Sequence, residues 1–447
     1  MAIYEDRESF IPYSKADIIE LCIEDGKFNK EEQKKFREFC EIVSAYYHFD
    51  FHKILENLKK NFIPYAPDLD TKVRIHPTEN QLLVMEKNLI HDLKTILEKA
   101  NYSPLTELEL NKALNGQSLI ELQLQINFDD FDNWALYHRG NTQETANIKK
   151  LFGFKTVSYS MDIYERVVLL VKFKNEEYFL NKFKGNKKKL EALNFKPGKM
   201  YLYLYENIPQ SDLEIVFPNV EMSMNKKDKL FLGIPALGAG IPVLLKLITQ
   251  VPTIISNLPF ILAAISAFFT TRAIQDPGNI MPMLSAMLTL LITVGSFIFR
   301  QYVKVKNKKI KFLKEVTDIL FFKNLVSNSG VFNFLVDAAE EEECKEVILS
   351  FYHLFTAEQP LSIEELDDKI ENWLEEKFNT KIDFNVEKAL YKLKNLRGKV
   401  IPENAQDSDI AEQSILKFDE NLKCKIVSLD DAKIIIDYIW DNIYQYN

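Results

Sequence analysis

The hydrophobic pattern changes character along the chain. From Leu230 to Phe299 only Lys246, Arg272 and Asp276 are charged. Residues 277–299 and 247–271 are charge-free, and a 20-residue helix spans about 30 Å, the thickness of a bilayer's hydrocarbon core. This predicts two membrane helices, 253–271 and 279–299, joined by the turn Arg272–Gly278. The preceding 230–250, with its glycines and prolines, reads as re-entrant or interfacial. Before the run, 30–62 and 80–100 carry helical patterns, and Ser14 with Asp17 forms a capping pair ahead of Ile18. Leu122, Leu124 and Ile126 alternate with glutamines, and Val167–Phe173 and Tyr201–Tyr205 read as strands of a small antiparallel sheet. Residues 183–198 read as a basic loop with a short helix. After the run, helices are predicted at 338–356, 362–378 and 384–396, then a strand at 422–428 and a helix at 429–444. Three helices followed by a β excursion resemble a winged helix.

The expected fold class is thus an α+β membrane protein. Its regions are a helical 1–115, a β-rich 116–228, a membrane module 229–299, a basic linker helix 300–337, and a winged-helix-like 338–447. Arg300, Lys304, Lys306, Lys308 and Lys309 flank the apolar run on one side, and Asn225–Lys229 is net basic on the other. Lys and Arg collect on the cytoplasmic side, so an even number of crossings, with both termini cytoplasmic, is expected. Ala263 with Ala267, and Ser285 with Thr289, have the small-residue spacing that lets membrane helices pack closely. The bilayer and self-association are therefore the expected partners.

Composition narrows the function. The formal charge of −9 argues against general nucleic-acid binding. Cys22, Cys40, Cys344 and Cys424 lack paired spacing and read as reduced thiols. The charged start lacks the apolar core of a signal peptide.

The motif Tyr205–Pro218 (YENIPQSDLEIVFP), with Lys227–Leu230 and LGIPALGAG, resembles the transmembrane protein 143-like family. So do Phe10–Pro12, Tyr137–Gly140, and the block from Arg300–Tyr302 through Phe322–Leu325 to Lys345–Glu346. The resemblance implies a membrane protein built on a domain of unknown function, with no established activity or active site. Without a presequence, the expected address is a bacterial inner membrane.

No catalytic, metal or cofactor constellation stands out. His48 and His52 have i, i+4 spacing but no third ligand, and read as helix-surface residues. Arg139 with Gly140, after a strand, is a candidate anion site. Asp212 and Glu214 could act as an acid/base pair, but capping of a short helix after Pro209 is preferred. Glu340–Glu343 read as a solvated face. Lys388, Lys392, Lys394, Arg397 and Lys399 could read DNA from a winged helix, but nearby acids favour a protein-interaction face. Lys246, with Gly238 and Gly240, could line a pore, although snorkelling is the commoner fate of such a lysine. The favoured function is a membrane-anchored scaffold with unidentified protein partners, ahead of an oligomeric pore and an enzyme using 118–218.

Overall fold

A computed structural model of the chain describes residues 7, 9–69, 74, 76–106, 110, 123–150, 155–223, 322–400 and 412–443, with scattered positions between 296 and 314. The chain divides into two compact units. The first comprises Met1–Gln117, Asn127–Pro218 and Lys323–Asn447; the second comprises Ser118–Ile126 and Asn219–Phe322.

Polar caps set where the first helices begin. Ser14 accepts the amide of Asp17 at the start of α1 (Lys15–Glu24). Asn29 and Glu32 close a capping box on α2 (Lys30–Phe62), and Thr78 with Gln81 does the same for α3 (Glu79–Lys99). The strands follow: β1 (Ser103–Pro104), β2 (Gln123–Gln125), β3 (Phe131–Lys150) and β4 (Lys155–Phe173). Two short helices, α4 (Glu176–Lys182) and α5 (Lys187–Glu191), lead to β5 (Met200–Pro209), a 3-10 turn (Gln210–Val216) and β6 (Glu221–Ser223). In the second unit β2 and β6 pair antiparallel.

The first unit resumes with β7 (Asn324–Ser327), α6 (Ser329–Phe355), α7 (Ile363–Phe378) and α8 (Val386–Asn395). Then come β8 (Arg397–Gly398), β9 (Gln413–Ser414), the hairpin β10 (Leu416–Phe418) and β11 (Cys424–Ile426), and α9 (Leu429–Asp441). Leu361, just before α7, bridges to Cys424 of β11, so the local strand order is Leu361, β11, β10.

One antiparallel sheet, in the order β1-β3-β4-β5-β7, organises this unit. Leu169 faces Leu136 on one side and Tyr203 on the other. Period-2 alternation gives each strand two apolar faces. Val168, Leu170, Met200, Leu202 and Leu204 join the helical core. Val167, Leu169 and Val171 face the other way and are fully buried, on the side of the Phe173–Phe195 stack at 3.5 Å.

The core centres on α6, where every residue from Glu342 to Leu354 is buried. A helix wrapped on all sides needs no polar stripe. It packs on α1, α2, α3, α7, α8, β5, β7 and β11. Phe351 lies 4.1 Å from Phe39 of α2, ring centre to ring centre, and Tyr352 packs edge-on to Phe28.

Two expectations need correction. Among the described residues no helix is long and apolar enough to cross a membrane. The two longest fail for the same physical reason, charge: α2 has charged side chains through its length, and α6 carries Asp337, Glu340–Glu343, Lys345 and Glu346. This overturns the membrane-protein fold class, the membrane description generally, and the multi-pass inner-membrane address. The fold is mixed α and β, with a five-stranded antiparallel sheet. The helices expected at 253–271 and 279–299, and the segment 230–250, lie outside the described residues, save Ser296 and Phe299 of the second.

The second correction concerns Glu340–Glu343, which do not form a solvated face. Glu342 and Glu343 are 0% and 4% exposed. Because α6 is surrounded, its successive acids meet different elements. Glu340 pairs with His48 of α2 at 3.0 Å. Glu341 accepts the amide of Lys15 at the start of α1. Glu342 accepts the Ile11 amide and the Asn101 side chain, and pairs with Lys345, whose ammonium donates to the carbonyls of Ile11 and Tyr13. Glu343 reaches Lys99 and Lys392, and Glu346 reaches Lys388 and Lys392. Burial, the leading cause, holds the Glu342 carboxyl above its ordinary range, with Lys345 working against it.

Candidate functional site

The two strands flanking β4 carry left-handed backbone in one row of the sheet. Gly140 of β3 has φ +72° and Asn207 of β5 has φ +52°. The registered pairs Arg139 with Arg166 and Asn141 with Tyr164, then Arg166 with Glu206 and Tyr164 with Ile208, bracket this row with Glu165 at its centre. A Cβ at position 140 would come within 2.6 Å of the Glu165 carboxylate. Glycine is therefore needed both for its left-handed φ and for the space it leaves. Asn207, the non-glycine left-handed residue of the row, is the kind of backbone feature that collects at functional positions. Next to it Arg166 and Glu206 pair across strands at 3.4 Å, and Lys323 donates to the Asn207 carbonyl.

Arg139 does not stand open beside this row. Its guanidinium lies 3.8 Å from the Phe10 ring centre and 4.7 Å from that of Tyr102. It also donates to the Ala100 carbonyl, which closes α3. A cation between two rings and a helix C-terminus is held by cation–π attraction and the helix dipole together. Arg139 thus joins the N-terminal segment and α3 to the sheet.

The 3-10 turn covers β4 and β5. Gln210 donates to Asn141, tying the turn to β3. Asp212, at φ −123° and ψ 24°, breaks the helical run. Pro209 at its start offers no side-chain cap, so the turn is not the capped helix expected after Pro209. Asp212 and Glu214 are both buried. Burial, followed by the charge of Asp212, raises the Glu214 carboxyl to about 7. Phe217 closes the turn against Phe128, Phe131 and Trp134, with ring centres 5.6 to 6.1 Å away. A buried carboxyl of this kind can hold a proton near neutrality.

A pH dependence follows. The folded Glu214 keeps its proton to about 7, while an unfolded chain releases it near 4.5. Its contribution is complete below about pH 4.5 and is lost as pH rises through 7, at a slope of up to about 1.4 kcal/mol per pH unit. Glu214→Gln should flatten stability over that window. Denaturant melts at several pH values would read the change, and an unaltered slope would count against a protonated Glu214.

A second polar node was not legible in advance. Asp25, at the end of α1, accepts from Tyr352 at 2.7 Å and Trp373 at 3.2 Å, and pairs with Lys377 at 2.8 Å. Burial raises its carboxyl, but the bonds from Lys377 and Tyr352 overcome this and bring it to about 2. The only sequence signal is Asp25-Gly26, which reads as a helix-ending turn. Nearby His353 is 1% exposed, and burial lowers it to about 3.

The other candidates are dispersed. His48 and His52 lie on the exposed side of α2, and among the described residues no group of three His, Cys, Asp or Glu side chains could hold a metal ion. The four cysteines are free and buried. An open groove of about 410 Å³ runs along β3, lined by Pro104, Leu105 and residues 132–137. Its Asp132 is engaged by Lys172 at 2.6 Å. Arg300 and Lys306 occupy exposed helical positions. Gly238, Gly240, Lys246, Lys304, Lys308 and Lys309 lie outside the described residues.

A family model described as a protein of unknown function (DUF3754) matches residues 164–330, rather more than a third of the chain. The matched stretch contains the second half of β4, β5, the 3-10 turn and β7, so the buried Asp212 and Glu214 fall within it. No solved structure matches the chain.

Proposed function

We propose that this chain is a non-enzymatic interaction protein whose docking module is the C-terminal region 338–447. The order α6, α7, α8 and then, after β8 and β9, the β10–β11 hairpin, with Leu361 as a third strand, resembles that of a winged helix. In that architecture α8 would be the recognition helix. One observation supports the protein-binding reading: two of the three lysines of α8, Lys388 and Lys392, are tied to buried glutamates of α6. Lys388 and Lys392 bind Glu346, and Lys392 also binds Glu343 at 3.1 Å. The exposed side of α8 presents Glu387, Tyr391, Lys394 and Asn395. One lysine beside one glutamate neutralises no run of phosphates, and an exposed tyrosine is a common anchor at protein interfaces.

The test is direct. Labelled duplex DNA at low salt should show no anisotropy change with micromolar protein, and a photo-crosslinker at Tyr391 should capture other polypeptides in cells. Tight, salt-dependent DNA binding would overturn the reading.

An enzyme reading is favoured by one observation, the buried Glu214 beside Asp212, whose carboxyl burial raises to about 7. Such a carboxyl is suited to general acid chemistry. It stays second because neither Asp212 nor Glu214 lines the described groove along β3.

The closer kinship to the transmembrane protein 143-like family is also a proposal. Tyr205–Pro218 and Phe322–Leu325 fall inside the matched stretch and support it, while Phe10–Pro12 and Tyr137–Gly140 lie outside.

A further inference from the structure

The β10–β11 hairpin is built at a cost. Leu422 at its tip is 77% exposed and has φ +60°. A bulky side chain in the left-handed region is a genuine outlier. The turn is held there by Asp419, whose carboxylate accepts the amides of Asn421 and Lys423, and whose carbonyl accepts the amide of Leu422. On the strands Lys417 directly opposes Lys425, and both are exposed. Like charges facing each other across a ladder are unfavourable. The rings of Phe418 and Tyr391 are 42% and 68% exposed. Folding alone accounts for none of these choices: glycine would relax position 422, and any polar residue would relieve position 417.

The opposite charge lies on the neighbouring helix. Glu364, Asp368, Asn372 and Glu375 fall at i, i+4, i+8 and i+11 of α7 and are all exposed. This spacing makes one acidic stripe. Lys423 of the hairpin already pairs with Glu365 of α7 at 3.2 Å, so the basic and acidic patches adjoin within one unit. Adjoining patches of opposite sign are self-complementary about a two-fold axis, because each copy offers what the other lacks.

We propose that α7 and the β10–β11 hairpin form a homodimer interface. Lys417 and Lys425 of each copy meet the acidic stripe of the other, and Leu422 of each meets the exposed rings of the other. The proposal deepens the interaction reading above by naming a second copy of this chain as the partner.

Sedimentation velocity of the full chain tests it. At about 50 mM salt, where screening is weak, the chain should show a concentration-dependent dimer in the micromolar range. Salt of about 0.5 M should weaken that dimer about tenfold. Leu422→Gly should leave the thermal midpoint unchanged or higher while weakening dimerisation about tenfold, because glycine accepts the left-handed φ. Lys417→Glu with Lys425→Glu, and separately Glu364→Lys with Asp368→Lys and Glu375→Lys, should each give monomers, and mixing the two variants should restore a dimer. A chain that stays monomeric up to about 200 µM, two hundred times a micromolar Kd, overturns the proposal, as does a dimer indifferent to these variants. Either result leaves crosslinking from Tyr391 to other proteins as the separate test of the interaction reading.

Discussion

Lys345→Ala should cost about 3–5 kcal/mol of stability, the penalty for leaving a buried charge without its partner. Lys345 and Glu342 are 2% and 0% exposed at the centre of α6. The ammonium also donates to the carbonyls of Ile11 and Tyr13, at 2.6 and 3.1 Å. The single change therefore strands one carboxylate and two acceptors. It should also loosen the N-terminal segment, which holds Arg139 through Phe10. The double variant Glu342→Gln with Lys345→Met should recover much of the loss, since Gln keeps an acceptor for the Ile11 amide and no charge stays buried. Urea denaturation of the three proteins distinguishes the outcomes. A loss under about 1 kcal/mol for Lys345→Ala would mean that water reaches Glu342 and the pair is not dry.

The same helix shows why part of the fold was legible in the sequence and part was not. Caps are local, so Ser14 with Asp17 marks a helix start whatever surrounds it. The strand-like alternation at Val167–Phe173 and Tyr201–Tyr205 is local too, and these residues lie in β4 and β5. Burial of acids is not local. Four consecutive glutamates read as solvated because exposed helices are the usual home of such runs. Here their partners come from His48, Lys15, Lys99 and Lys392, between 49 and 326 residues away, which no spacing rule connects. β7 escaped notice because four residues, Asn324–Ser327, carry too little alternation to stand out from a basic helical pattern. In the candidate site the residue types of Asp212 and Glu214 were readable, but their burial was not, since the turn that carries them is packed on β4 and β5 from elsewhere in the chain. Gly140 was visible as a glycine after a strand. Its reason, the carboxylate of Glu165 lying across it, depends on cross-strand register.

Phe217→Ala should also cost about 3–5 kcal/mol, the usual range for emptying a buried phenylalanine site. Phe217 is fully buried and meets Phe128, Phe131 and Trp134. Its truncation opens a cavity at the end of the 3-10 turn, three residues from Glu214. The same change should move the Glu214 carboxyl down from about 7 towards its ordinary 4.5, because burial is the leading cause of its elevation. Carboxyl carbon chemical shifts followed through a pH titration would report this independently of stability. Asp212→Asn supplies the contrast. It removes the neighbouring negative charge and keeps the shell intact, so it should lower Glu214 by less than Phe217→Ala does. If Asp212→Asn has the larger effect, then repulsion between the two acids, and not the dry shell, sets the proton affinity of Glu214. The pair would then titrate as a coupled unit.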